Sequence, residues 1–151
     1  MSKKRKPSNK DVDTWMQKIG SEPSASVQRV QGVTPGHWQL GMLNRVGQYT
    51  MDIKDQGDYV SYGIPLTPDV EGKNEAAFYR ELLGYSAKIN GSHIGIEGDN
   101  IVLTREEHKE GFDPPALGRS IRLMSDTHEV VYPELLKMEK RHGLKFKNKK
   151  G

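Results

Sequence analysis

The sequence contains no cysteine, and none of its apolar runs approaches the roughly 20 residues that a membrane-spanning helix needs. Without cysteine the chain has no disulfide scaffold, no thiolate catalysis and no cysteine-bound zinc or iron–sulfur cluster. The first ten residues are polar and basic, and they lack the apolar stretch of a signal peptide. We therefore expect a cytoplasmic protein that does not insert into a membrane.

Hydrophobic residues make up only 34% of the 151 residues, which suffices for one modest core. The charge is unevenly placed, because the two ends hold 11 of the 23 basic residues and no acid, whereas residues 11–139 carry a net charge of −8. Short lysine-rich ends are typically solvated and poor in core-forming side chains. The sequence therefore predicts a basic disordered tail at 1–10, a single α+β domain at 11–139 and a basic C-terminal tail at 140–151.

The first third of the chain gives one clear element. A short amphipathic helix is predicted over residues 11–20, and a linker follows at 21–26. Residues 27–46 have no clear period, and the segment that begins at His37 fits either a strand or a short helix.

Two hairpins and a helix are predicted in the middle of the chain. Apolar residues alternate with polar ones at 48–54 and 59–66, which flank a turn, and a second hairpin covers 93–104. Between the hairpins, Asn74 begins a helix that extends to about Ala87, with its apolar residues at helical spacing. A polar connection is expected over 105–115.

The last helix has the clearest period, because its apolar residues follow a 4–3 alternation that places them on one stripe. The predicted core residues of this stripe are Leu117, Ile121, Met124, Val131 and Leu135. His128 falls on the same stripe, where a buried structural histidine is expected rather than a catalytic base. Pro133 predicts a kink or a division into two helices. The element order predicts an α+β domain, with an antiparallel sheet of about five strands packed against three helices.

No motif for an enzyme or a cofactor is present. The chain has no G-x-S-x-G elbow, and its glycine-rich segment at 91–98 matches neither nucleotide-binding pattern and leads into a strand. His93, Glu97 and Asp99 alternate onto one strand face as candidate metal ligands, although a solvent-facing strand accounts for them more simply. We therefore expect no catalytic residue, no cofactor and no metal.

The segment from Tyr79 to Lys140 resembles the YbjN-like family. The similarity lies in LLGYSAKING from Leu82, then in HIGIEGDNIVL from His93, and finally in SDTHEVVYPEL from Ser125. The first predicted hairpin and the Leu66-Thr-Pro sequence extend the resemblance to about residue 47. It implies the fold of type III secretion chaperones, in the order helix, three strands, helix, two strands, helix. Those chaperones are small, acidic, cytoplasmic and commonly homodimeric, and they bind extended client segments without chemistry.

Two functional hypotheses follow. In the first, the chain is a non-enzymatic, chaperone-like or regulatory module that binds an unidentified client and forms a homodimer. Its dimer or partner face is expected on a second side of the middle helix, at Ala76, Tyr79 and Leu83, unless the 27–46 segment folds over that side. In the second, the basic tails bind nucleic acid or another anionic partner. The tail residues expected to bind anions are Lys3, Lys4, Arg5, Lys6, Lys147, Lys149 and Lys150.

Overall fold

The computed structural model describes residues 6–21 and 27–146. Three helices and eight strands follow one another along the chain. They are α1 Asn9–Ser21, β1 Val27–Thr34, β2 His37–Asn44, β3 Gly47–Asp55, β4 Tyr59–Pro68, β5 Val70–Glu71, α2 Glu75–Ser86, β6 His93–Glu97, β7 Asn100–His108, α3 Pro114–Arg141 and β8 Lys145–Phe146.

Six of the strands form one antiparallel sheet in the order β1-β2-β3-β4-β7-β6, so that β1 and β6 are its edges. The two-residue strands β5 and β8 pair separately, with Val70 opposite Phe146. The predicted α+β class with three helices and an antiparallel sheet is confirmed. The main sheet has six strands where about five were predicted, because four of its strands precede α2 instead of three.

The extra strands come from residues 27–46, for which the sequence left the structure open. This segment forms the β1–β2 hairpin, and β2 then pairs along its whole length with β3. Trp38, Leu40 and Met42 are buried on one side of β2, while the residues between them stay partly exposed. The alternation at 38, 40 and 42 is a strand signal, whereas the valines of β1 lie three residues apart and give none. The predicted polar connection is also shorter than expected, since β7 continues to His108.

One face of the sheet is buried beneath the helices. Residues opposite each other in neighbouring strands share a face, and the buried face follows the pairs Leu40–Met51, Ile53–Tyr62 and Ile64–Leu103. All three helices contribute side chains to the same core cluster, including Met16, Phe78 and Met124. The alternation therefore produces a two-layer α/β arrangement with one uncovered sheet face, which we call the outer face.

Helix α3 is a single helix of 28 residues. Asp113 caps its beginning by accepting a hydrogen bond from the backbone N–H of Ala116 at 2.9 Å, and two prolines occupy its first turn. Pro133 lies within the helix without dividing it, so the alternative of two helices is wrong. The predicted stripe residues Leu117, Ile121, Met124, Val131 and Leu135 are all buried.

The structure extends past both predicted domain boundaries. At the beginning, Pro7 is buried, α1 starts at Asn9, and the Lys6 ammonium pairs with the Asp58 carboxylate at 2.7 Å. At the end, α3 continues to Arg141 and β8 pairs with β5. The reason is that residues 144 and 146 are apolar and pack against the core cluster. The anion-binding residues predicted at 3–5 and 147–150 lie outside the described residues.

Met124 offers a direct test of the buried stripe. Met124→Asp should lower the free energy of unfolding by several kcal/mol, because it places an unpaired carboxylate at a fully buried position. Leu123→Asp, at the neighbouring and partly exposed position, is the matched control and should cost much less. Urea unfolding followed by circular dichroism measures both, and equal losses for the two variants would contradict this packing of α3.

Candidate protein-binding surfaces

The outer face of the sheet is concave. A hollow of about 680 Å³ lies over strands β3, β4, β7 and β6. The Lys54 ammonium on β3 approaches the Glu97 carboxylate on β6 to 3.7 Å, although two strands lie between them in the sheet. Such an ion pair between partly exposed groups contributes little stability, but it shows how strongly the sheet curves around the hollow.

Small and polar side chains form the floor of this hollow. One row of paired residues crosses the outer face, from Asp52 on β3 through Gly63 and Thr104 to His93 on β6. A side chain at Gly63 would meet no atom within 4 Å, which shows how open the centre of the hollow is. The lining also includes Ser61 and Val102. This surface combines hydrogen-bonding side chains with open space over the middle strands of the sheet.

A second exposed surface lies at the β6 edge of the sheet. Leu83 on α2 is 67% exposed, Ala76 on the same helix is exposed, and Ile96 on β6 is 54% exposed. Helix α2 contacts β6, where the Ser86 hydroxyl accepts a hydrogen bond from the Ile94 N–H at 2.8 Å. Ala76, Leu83 and Ile96 are exposed side chains of these two contacting elements, and we refer to them as the α2–β6 patch.

Tyr79 was predicted to share this face, but its hydroxyl is engaged within the chain. It donates a hydrogen bond to the Asp69 carboxylate, and burial together with that carboxylate raises the pKa of Tyr79. Tyr79 is therefore half-buried, whereas Ala76 and Leu83 remain exposed. The alternative that residues 27–46 cover these side chains is wrong, because that segment forms strands at the opposite edge of the sheet.

Helix α3 holds a buried histidine where one was expected. His128 is 2% exposed and lies between two tyrosine rings, with centroids 3.9 Å from Tyr49 and 5.5 Å from Tyr132. The Asn44 amide donates a hydrogen bond to Nδ1 of His128 at 2.9 Å, which places the proton of the neutral ring on Nε2. Burial lowers the pKa of His128 to about 4, although the Glu129 carboxylate opposes this shift.

A polar network connects the beginning of α3 with the sheet. Glu107 accepts hydrogen bonds from the Tyr62 hydroxyl at 2.9 Å and the Ser120 hydroxyl at 2.8 Å. Arg105 donates to Ser120 at 3.3 Å and to the carbonyl oxygen of Gly91 at 2.8 Å. Burial, followed by the nearby Glu107 charge, raises the pKa of Tyr62. Because every side chain in this network has a partner, we assign it a structural role.

The candidate metal ligands are not brought together. His93, Glu97 and Asp99 are exposed, and the described part of the chain contains no group of three or more side chains that could hold a metal ion. No described helix is long and apolar enough to cross a membrane. Lys6, the only predicted anion-binding residue within the described ranges, already pairs with Asp58.

No protein-family model and no curated protein matches the sequence. Several solved structures, including the following two, are similar in fold. A chain of the heterodimeric complex ExoU-SpcU, from the type III secretion system of Pseudomonas aeruginosa, is 16% identical with a TM-score of 0.51, over 81% of this chain and 95% of that chain. YbjN from E. coli is 13% identical with a TM-score of 0.56, over 95% of this chain and 98% of that one. The predicted YbjN-like, secretion chaperone-like fold is confirmed.

The buried His128 predicts a loss of stability in acid. An ordinary histidine pKa is 6.5, so the unfolded chain takes up a proton between pH 6.5 and 4 while the folded chain does not. The contribution of neutral His128 to stability is therefore complete above pH 6.5, falls below it, and is lost by about pH 4, up to roughly 3 kcal/mol. Urea unfolding at a series of pH values measures this slope.

His128→Phe removes the titration and keeps an aromatic ring between the two tyrosines. Asn44 still donates to the carbonyl oxygen of Ser125, at 3.2 Å, but loses its bond to the ring, so the slope with pH and not the absolute stability is compared. The variant should show a shallower loss of stability between pH 6.5 and 4, whereas His93→Phe, at an exposed position, should retain the slope of the natural protein. An unchanged slope in His128→Phe would show that His128 takes up its proton over the same pH range in the folded and unfolded chains.

Proposed function

We propose that this protein is a non-enzymatic, cytoplasmic protein-binding module, chaperone-like or regulatory, that binds a client on its outer face and forms a homodimer through the α2–β6 patch. The observation that carries the proposal is the concave outer face. All three helices pack on the other side of the sheet, so this face is left open to a partner. A surface of this size, with polar groups around an open floor, can seat a segment of another chain.

The structural neighbours support a binding role. One is a chain of a heterodimeric complex from a type III secretion system, where the fold associates with another protein. The other, YbjN, has been proposed to regulate transcription. A shared fold does not show that two proteins have the same activity. Whether this chain acts as a chaperone or as a regulator therefore depends on the client that it binds.

The dimer is proposed from the α2–β6 patch. Leu83 and Ile96 expose apolar side chains beside an edge strand, and such an edge also carries unpaired backbone groups. In a twofold dimer the same patch of each chain contacts the partner. The apolar side chains of each copy are then covered by the patch of the other copy.

The oligomeric state tests the dimer directly. Light scattering at about 100 μM, where even a weak biological pair associates, should give twice the 17.0 kDa of the chain. Leu83→Asp should convert the protein to a monomer, because it places a charge in the interface. Val130→Asp is the matched control, since Val130 is 62% exposed on α3 and lies outside the patch. A monomeric natural protein, or a Leu83→Asp variant that stays dimeric, would contradict the proposed interface.

Filling the hollow tests the client surface. Gly63→Arg places a long side chain in open space at the centre of the hollow and should abolish the capture of client proteins from native lysate. Gly32→Arg makes the same change on edge strand β1, again where the added Cβ meets nothing within 4 Å, and should leave capture unchanged. If both variants capture the same proteins as the natural chain, the client binds elsewhere.

A further inference from the structure

A groove lies between the last turns of α3 and strand β8. Its volume is about 550 Å³, and its apolar walls are formed by Leu136, Leu144 and Phe146. All three side chains remain partly or largely accessible, and Leu136 is 39% exposed. The groove is formed by elements that contribute nothing to the lining of the hollow on the outer face or to the α2–β6 patch. We call it the α3–β8 groove.

A buried carboxylate lines this apolar groove. Glu139 is 5% exposed, and one of its oxygens accepts a hydrogen bond from the Thr67 hydroxyl at 2.9 Å. The other oxygen accepts no hydrogen bond from the described residues, and it is accessible to solvent because it is not among their buried atoms that lack a partner. A buried carboxylate is costly unless a cation or several donors compensate it, and a single neutral hydroxyl supplies little of that compensation. Burial accordingly raises the pKa of Glu139, and the bond from Thr67 opposes the rise.

Neither of the two lysines that line the groove, Lys140 and Lys145, forms an ion pair with Glu139 in the described structure. Lys145 lies directly opposite Glu71 in the β5–β8 ladder, so an acid already stands beside it. Lys140 is exposed at the rim, and its ammonium makes no ion pair with Glu139 in the described structure. The groove therefore presents one carboxylate oxygen that pairs with no described side chain, between apolar walls that Lys140 and Lys145 border.

We propose that the α3–β8 groove binds an apolar polypeptide segment that carries one arginine or lysine, whose aliphatic stem lies against Leu136, Leu144 and Phe146 while its charged head reaches Glu139. Long basic side chains bury their methylene groups along apolar surfaces in this way, and a guanidinium matches the geometry of a carboxylate. The inference goes beyond the proposed function, because it concerns a separate surface and does not depend on a client in the hollow or on the dimer.

The test compares two short peptides on the full-length protein. Acetyl-Leu-Arg-Leu-amide supplies the guanidinium, and acetyl-Leu-citrulline-Leu-amide replaces it with a neutral group of nearly the same shape. Titrations followed by NMR should shift the methyl signals of Leu136 and Leu144 with the arginine peptide, and the citrulline peptide should bind at least tenfold more weakly. Equal affinities, or shifts confined to other parts of the molecule, would overturn the proposal.

A variant then assigns the discrimination to Glu139. Glu139→Gln keeps an oxygen that accepts from Thr67 and removes only the charge, so the two peptides should bind it equally. If the variant does not fold, the peptide comparison on the natural protein decides the matter. Decanoate is the opposing probe. If it shifts the same methyl signals and the arginine peptide does not, the groove binds an anionic amphiphile through Lys140 and Lys145, and the proposal is wrong.

Discussion

The packing of α3 against β2 and β4 is the contact on which the rest of the structure depends. The helix is 28 residues long, and its buried stripe extends from Leu117 to Met138. Since one helix spans so many strands, it determines which face of each strand is buried. Helices α1 and α2 then extend the same layer toward the β1 and β6 edges, where each of them has its contacts with the sheet.

This one-sided burial also determines where binding surfaces can exist. A sheet covered on one face must solvate the other, and its curvature turns that face into a hollow over four strands. Its two edges differ in what lies beside them. The N-terminal helix packs along β1, with Val30 directly against Gly20, whereas β6 has exposed Leu83 and Ile96 beside it. The β6 edge therefore exposes two apolar side chains, Leu83 and Ile96, while the β1 edge exposes Val33, which is 48% accessible.

Elements with a strong local period could be predicted from the sequence, and contacts between distant residues could not. The α3 stripe and both predicted hairpins depend on residues close together in the chain. The β1–β2 hairpin is ordered by pairing with β3, and β1 has no alternation of its own because its valines lie three residues apart. His128 was placed correctly on the stripe, but its partner Asn44 lies 84 residues away. The burial of Glu139 could not be predicted, although Glu139 lies four residues after Leu135. Its hydrogen-bond partner Thr67 is 72 residues away in the sequence, so no local pattern indicates the contact.

The hollow and the α2–β6 patch both include residues of β6, and this affects how a client would be bound. The lining of the hollow reaches Glu97 on β6, and β6 is also the edge at which the dimer is proposed. A twofold contact through this edge would bring two hollows close together, so that a client with two binding segments could occupy both. The second segment would then bind at a high effective concentration, and weak contacts in each polar hollow would combine into a much tighter association. Under this arrangement the dimer is part of the binding mechanism, because each monomer contributes one hollow over its outer face.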